Sequence, residues 1–297
     1  MEPISTPQVV REDGFIHQIK WDGIRGIANV DNGNVTIYTK KGFECTASYP
    51  EMGELPQLIL ARQAVLDGEI VVFADGKPSF YHALRRNRTR SSMGVKQMAA
   101  LYPIRYIVFD LLFLNKEDKR SLPLKERQEI LKSYFVGNYF AAPADSFEDG
   151  QALFSLMRQK NMEGIVSKRI SSSYLPGKKH TDWYKTKTAK KLLCVVVGIQ
   201  LKNAVPASLV LGVYRDGALT GVGEASSGLR QSDWTLLAEY MQRECLNRQK
   251  DIVWVRPTLT CWVRFAEWTQ NGTLRHPVLL GFSTQDAKTA IGEEFCI

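Results

Sequence analysis

Ile19-Lys20-Trp21-Asp22-Gly23-Ile24-Arg25 puts a lysine, a carboxylate, a glycine and a guanidinium into one short run. A lysine amine attacks phosphorus only as the free base, and its ordinary pKa is about 10.4. A neighbouring carboxylate and guanidinium can help hold amine and phosphate together. Alone, Lys-x-Asp-Gly recurs by chance in about one chain in twenty of this length, and it reads equally well as a strand entering a turn at Gly23. Weight comes from the motifs that follow it in order.

Around this run the chain alternates. Phe15, His17, Ile19 and Trp21 interleave with Ile16, Gln18, Lys20 and Asp22, the period of a strand, which sets Gln18 and Lys20 on the face opposite Trp21. Residues 26–39 continue as a hairpin through Asp31-Asn32-Gly33. Residues 65–73 predict a strand with Asp67 and Glu69 on one face, and the apolar run 104–114 a central buried strand. Leu124, Ile130, Leu131, Tyr134 and Phe135 recur at helical spacing after Ser121 and Pro123. Residues 162–170 and 183–188 read as two more strands, joined by the polar loop 171–180.

Composition changes near Ala189-Lys190-Lys191. Short strands follow at 192–200, 208–215, 218–224, 252–255, 261–269 and 274–282, with two-residue turns at Asp216-Gly217 and Asn271-Gly272 and one helix near 232–245. That pattern fits a small barrel of the oligonucleotide-binding kind.

The totals narrow the function classes. At 297 residues the chain predicts two domains. A net charge of +8 and a pI of about 9.2 favour a polyanionic partner. No apolar run approaches the ~20 residues of a membrane span, and residues 1–14 lack an apolar signal core. The five scattered cysteines contain no Cys-x-x-Cys, which points to reduced thiols in a cytoplasm and away from a zinc site. Neither Gly-x-x-x-x-Gly-Lys nor His-Glu-x-x-His occurs.

Polar residues in otherwise apolar strands come in this order: Lys20, Asp22 and Arg25; Asp67-Gly68-Glu69; Phe109-Asp110; Glu163-Gly164-Ile165-Val166; Lys185-Thr186-Lys187. This series resembles the ordered motifs of the nucleotidyltransferase superfamily of ATP-dependent DNA ligases, RNA ligases and capping enzymes. Phe-Asp-Leu-Leu at 109–112, Glu-Gly-Ile-Val-Ser-Lys at 163–168 and Gly-Thr-Leu-Arg at 272–275 bring it closer to the ligase domain of bacterial ligase D. The resemblance covers essentially the whole chain.

That resemblance implies roles. Lys20 would take AMP from ATP, with Lys185 and Lys187, on one strand face, clamping the α-phosphate. Gln18, Ile19, Arg25, Glu69, Phe109 and Glu163 would form the nucleotide site, Phe109 stacking on adenine and Arg25 using its fork on ribose and then on the DNA 5′-phosphate. Glu69, Glu163 and Asp22 would hold Mg²⁺ or Mn²⁺. The run Arg85, Arg86, Arg88 and Arg90, read as a loop, and Lys41 would meet DNA phosphates. Three positions depart from the family pattern. Gln18 stands where a glutamate is usual, Lys40-Lys41-Gly42 replaces an arginine-rich motif, and the late Arg-x-Asp-Lys has no clear copy around Lys288.

The expected fold is α+β: an antiparallel-sheet adenylation domain over residues 1–190, then an OB-fold barrel over 191–297. The expected function is ATP-dependent sealing of 5′-phosphate/3′-hydroxyl nicks in double-stranded DNA, in repair or end joining. The resemblance implies a monomer in the bacterial cytoplasm, associated with the nucleoid and free of membrane, with an end-binding protein, a polymerase or a nuclease as partners. The alternatives are an RNA ligase, a capping-type guanylyltransferase, or a nucleic-acid-binding module without catalysis.

Overall fold

The computed structural model describes every residue except Asp75, Gln270 and Ile297. It divides into two compact units, Met1–Lys187 and Thr188–Ile297.

The first unit is built on two sheets. In the larger, the hairpin Ile24–Asp31/Asn34–Thr39 lies beside Gln63–Ala74, which pairs in turn with Ile104–Leu114. All three pairings are antiparallel. The hairpin turns at Asn32 and Gly33, both at positive φ (47° and 85°), as a two-residue turn matched to strand twist requires. The smaller sheet runs Glu2–Ser5, Lys179–Lys187, Gly164–Arg169, Phe15–Ile19, and its first pair is parallel. Apolar alternation along these strands buries Ala28, Val30, Ile37, Leu66, Ile70, Tyr106 and Val108 in one core.

Irregularities in the central pair aim the site. Asp67 opposes Asp110 while Gly68 opposes Val108, so Phe109 is an extra residue on its strand; Leu112 is another. A bulge of this kind re-aims side chains beside it. It explains how a residue in a near-continuous apolar run faces a cavity.

The helix Leu124–Tyr134 packs on this strand through a fully buried ion pair. Arg127 Nε and Nη2 donate to Asp110 Oδ1 and Oδ2 at 2.7 and 2.9 Å, and Arg127 Nη1 donates to the carbonyls of Leu122 and Ser172. Helix Gly150–Gln159 lays Leu153 and Met157 against Ile165 and Val9.

The arginine run is not a loop. Phe80–Arg88 is a helix capped by Ser79, and Ser92–Leu101 is a second helix capped by Ser91. Helical spacing sends Arg86 inward, away from Arg85 and Arg88. It is 1% exposed, gives both Nη atoms to Glu51 at 2.8 Å, and bonds the carbonyls of Ser48 and Tyr102. Arg86 therefore cannot touch a DNA phosphate, and its expected role is corrected to a structural one. Arg85, Arg88 and Arg90 are exposed.

In the second unit the long strand Lys190–Lys202 is the organiser. It pairs with Val205–Arg215, Ile252–Val255 and Thr260–Phe265, all antiparallel. Alternate residues Leu192, Cys194 and Val196 enter a core closed by Leu237 and Tyr240 of the helix Gln231–Glu244. The Asp216-Gly217 turn adopts positive φ at both residues.

Arg86→Ala should lower stability by about 3–5 kcal/mol, because it strands Glu51 and buried carbonyls, while Arg85→Ala should stay within about 0.5 kcal/mol of wild type. Urea-denaturation midpoints measure both, and equal midpoints would remove the buried role.

Candidate active site

Both sheets of the first unit face one cavity of about 840 Å³. Gln18, Ile19, Lys20, Arg25, Lys41, Glu69, Phe109 and Lys185 line it, joined by Arg90, Lys168 and Trp183. The strand ends at Ile19, so the chain turns and Trp21 lines the same cavity as Gln18 and Lys20, not the opposite face.

Lys20 is held on the cavity wall by an ion pair. Its Nζ donates to Glu163 Oε2 at 2.6 Å, and Lys187 Nζ lies 2.7 Å from Glu163 Oε1. One carboxylate thus spans two amines. Glu163 is aimed by the next residue: Gly164 has φ +138°, and a Cβ there would lie 2.1 Å from the Thr186 carbonyl, so only glycine fits. The Gly164 carbonyl in turn accepts from Lys20 N at 2.9 Å. Lys185 sits in the wall with its pKa lowered by burial and by the positive charges of Lys20 and Lys187.

Arg25 is committed elsewhere than expected. Its Nε and Nη2 donate to Asp67 Oδ1 and Oδ2 at 2.9 and 2.6 Å, and Nη2 also reaches Tyr174 Oη at 3.0 Å. Tyr174 Oη donates to Asp67 Oδ2 at 2.7 Å. Burial pulls the Arg25 pKa down, but the charge and hydrogen bonds of Asp67 outweigh it and raise it. The fork predicted for ribose and phosphate is closed on Asp67 through Nε and Nη2. Tyr174 lies in the polar loop 171–180, where nothing in its spacing marks it.

Glu69 faces the cavity with its pKa pushed up to about 8, chiefly by burial, with Lys20 and Arg25 opposing and Glu163 and Asp67 reinforcing the rise. Glu69 lines the cavity, whereas Glu163, Lys187 and Asp22 do not; Glu163 reaches the site through its ion pair with Lys20. Among the described residues no cluster of three or more His, Cys, Asp or Glu side chains is poised to cage a metal.

The floor is aromatic and cationic. Phe109 is pinned through its carbonyl, which accepts from Gln128 Nε2 at 2.8 Å and Lys168 Nζ at 3.3 Å. Lys168, 2% exposed, lies 4.4 Å from the Phe109 ring centroid and 4.1 Å from that of Trp183. Burial brings its pKa down to about 7. Lys168 ends the Glu-Gly-Ile-Val-Ser-Lys motif, and its period-two spacing from Val166 was the available signal. Gln18, 2% exposed, donates through Nε2 to Ser146 Oγ at 3.1 Å, and its Oε1 has no hydrogen-bond partner. Arg85 and Arg88 stand apart, in a recess of about 280 Å³ with Tyr81, Leu84 and Thr89; Leu84 lines the main cavity as well.

Residues 4–187 match the ATP dependent DNA ligase domain, and residues 202–285 match the ATP dependent DNA ligase C terminal region. The chain belongs to the ATP-dependent DNA ligase family. It is 28% identical over 272 residues to the multifunctional non-homologous end joining DNA repair protein LigD of Mycobacterium tuberculosis, covering 86% of this chain and 34% of that one. With the SPbeta prophage-derived DNA ligase-like protein LigB of Bacillus subtilis it shares 27% identity over 276 residues, 92% of this chain and 94% of the other. The crystal structure of the ligase domain of M. tuberculosis LigD is similar over 97% of both chains, at 26% identity and a TM-score of 0.56. A mycobacterial DNA ligase D structure titled as complexed with ATP and MES gives 26% and 0.55 over 97% of each chain. The chain spans about a third of the length of the M. tuberculosis LigD it matches. The fold is accordingly the α+β ligase architecture with an OB-fold second unit.

The raised Glu69 pKa sets a pH dependence. Between its ordinary 4.5 and about 8 the folded state keeps a proton that the unfolded state releases, so this group costs stability as pH rises through that window. Glu69→Gln should therefore gain in melting temperature over wild type progressively from pH 5 to 8. A difference that stays flat across that range in thermal melts would show that Glu69 is not desolvated.

Proposed function

We propose that Lys20 is the covalent nucleotide acceptor and that the chain seals nicks carrying a 5′-phosphate and a 3′-hydroxyl. The observation that carries this is Lys20, which lines a cavity large enough for a nucleotide and is paired through Glu163 with Lys187. Lys20 Nζ attacks the α-phosphate of ATP, the bond to pyrophosphate breaks, and the lysine proton passes to Glu163 Oε2, which already lies within hydrogen-bond reach. Lys185 and Lys187 then face the charge that grows on the α-phosphate. AMP moves to the DNA 5′-phosphate, and the 3′-hydroxyl displaces it. Each step is a displacement at phosphorus governed by placement and charge.

Glu69 and Glu163 fit a divalent ion. Glu163's charge helps raise the Glu69 pKa, and Mg²⁺ asks for one or two carboxylates plus phosphate oxygens. Mg²⁺ or Mn²⁺ held there would neutralise charge on the nucleotide phosphates. Phe109 offers its ring to the base.

Lys41 and Arg90 line the cavity, while Arg85 and Arg88 flank it across Leu84. These four cations make a path for the DNA backbone. The LigD relatives are named for non-homologous end joining, and that setting, with an end-binding protein, a polymerase or a nuclease as partners and the chain acting as a monomer, belongs to the same proposal. Among the described residues no helix is long and apolar enough to cross a membrane, which suits a place in the bacterial cytoplasm near the nucleoid.

Lys20→Ala should retain the wild-type melting profile, since the side chain borders a cavity, yet gain no AMP mass after incubation with ATP and Mg²⁺. An adduct on that variant would move the nucleophile elsewhere. Replacing Arg85, Arg88 and Arg90 together by Ala should lower the slope of log K against log salt for nicked DNA by about 0.9 per lost phosphate contact. An unchanged slope would return these arginines to a solvated surface.

A further inference from the structure

Phe43 lines the cavity yet is 68% exposed, so it stands at the rim, whereas Trp21, Phe80, Phe109 and Trp183 of the same lining are half-buried or buried. A phenylalanine left singly in water needs no explanation by itself. This one is held in place by its backbone. Thr39 N donates to the Phe43 carbonyl at 2.8 Å, Gly42 N to the Thr39 carbonyl at 2.8 Å, and Phe43 N to Thr39 Oγ1 at 3.3 Å. Gly42 closes the turn at φ +80°, a conformation that suits glycine. An antiparallel bridge between Tyr38 and Glu44 ties the two ends together.

The lining that Phe43 shares is charged. Lys41 sits on the same turn, Arg90 follows the helix Phe80–Arg88, and both line the cavity. Lys40 is paired with Glu2 at 2.9 Å, which leaves Lys41 and Arg90 against the exposed carboxylate of Glu44. Phe80 and Leu84 add apolar surface from the helix. Cations interleaved with aromatic rings suit a nucleic-acid strand, because the cations take phosphates and any base offers a π-face to a ring. The nucleotide has its ring in Phe109 on the floor. The ring at the rim is left for the other substrate, DNA.

We propose that Phe43 is a stacking platform for the base that carries the 5′-phosphate at the nick, with Lys41 on the phosphate beside it. The inference rests on the reading of this chain as a nick-sealing enzyme with Lys20 as the nucleotide acceptor. The 5′-phosphate must come to Lys20 to take up AMP, and Lys20, Lys41 and Phe43 line one cavity. The nucleotide that bears this phosphate therefore arrives at the rim, where its base meets the Phe43 ring. A ring already placed by its turn loses little freedom when the base covers it. Covering it also removes apolar surface from water. Phe43 is a DNA-binding residue in this scheme and takes no part in the displacement at phosphorus.

The test uses the full chain and nicked duplexes whose 5′-phosphate already carries AMP, with a 3′-deoxy terminus so that sealing cannot follow. One duplex is intact, and the other is abasic at the 5′-terminal nucleotide of the nick. Wild type should bind the intact nick about tenfold more tightly than the abasic one, the scale of one base–aromatic stack. Phe43→Ala should bind the intact nick about tenfold more weakly than wild type and should not distinguish the two duplexes. Phe43→Tyr should restore the wild-type ratio, whereas Phe43→Leu, apolar but without a π-face, should not. Lys41→Ala should lower the salt slope by about 0.9 and keep the wild-type ratio. Should Phe43→Ala fail to fold, the Tyr and Leu variants decide. Equal binding of both duplexes by wild type, an unaltered ratio in Phe43→Ala, or a wild-type ratio in Phe43→Leu would overturn the inference and leave nick sealing standing. Wild type that seals no nick with a 3′-hydroxyl would overturn both.

Discussion

Asp110 has no access to water, and its two oxygens are taken up by one guanidinium, that of Arg127. Two charges cannot be removed from water unless each satisfies the other's geometry. This pair fixes the strand Ile104–Leu114 against the helix Leu124–Tyr134 and, through the Ser172 carbonyl, holds the start of the loop that carries Tyr174. Phe109 stands one residue away, on the bulge, with its carbonyl bonded from the same helix by Gln128. The floor of the cavity is therefore set by a pair that does not itself line it. Removing either partner would leave an uncompensated charge beneath Phe109.

A second ion pair repeats the design at the wall. Arg25 and Asp67 come from paired strands, and Tyr174 arrives from the same loop to share Asp67 Oδ2. Strand pairing brings the motifs together across long sequence distances. Gly164–Arg169 lies between Phe15–Ile19 and Lys179–Lys187, and so Glu163 meets both Lys20 and Lys187. The order of motifs along the chain is the order in which this topology needs them.

The strands and the residues that line the cavity were legible because each rests on a local rule. Alternation marked 15–22 and 65–73, where the structure has Phe15–Ile19 and Gln63–Ala74, Asn32-Gly33 marked its hairpin, and the motif lysines and glutamates stood out in apolar surroundings. What was not legible depends on partners distant in sequence. Arg86 looked like its neighbours, and only a helix with Glu51 beside it turns that arginine inward. The bulge at Phe109 is a mismatch between two strands, a property that neither shows alone. Arg25 kept its expected place but not its expected freedom, because Asp67 and Tyr174 close its fork. Asp22 follows Lys20 closely in sequence, yet it does not line the cavity.

Lys168 has a consequence of a different kind. Burial between two aromatic rings brings this amine down to about 7, so the cavity floor gains or loses a positive charge close to neutral pH. The change of charge falls inside the protein, on a side chain 2% exposed, beneath the Phe109 and Trp183 rings. The electrostatic character of the floor is thus a property of the interior, separate from the basic surface around it.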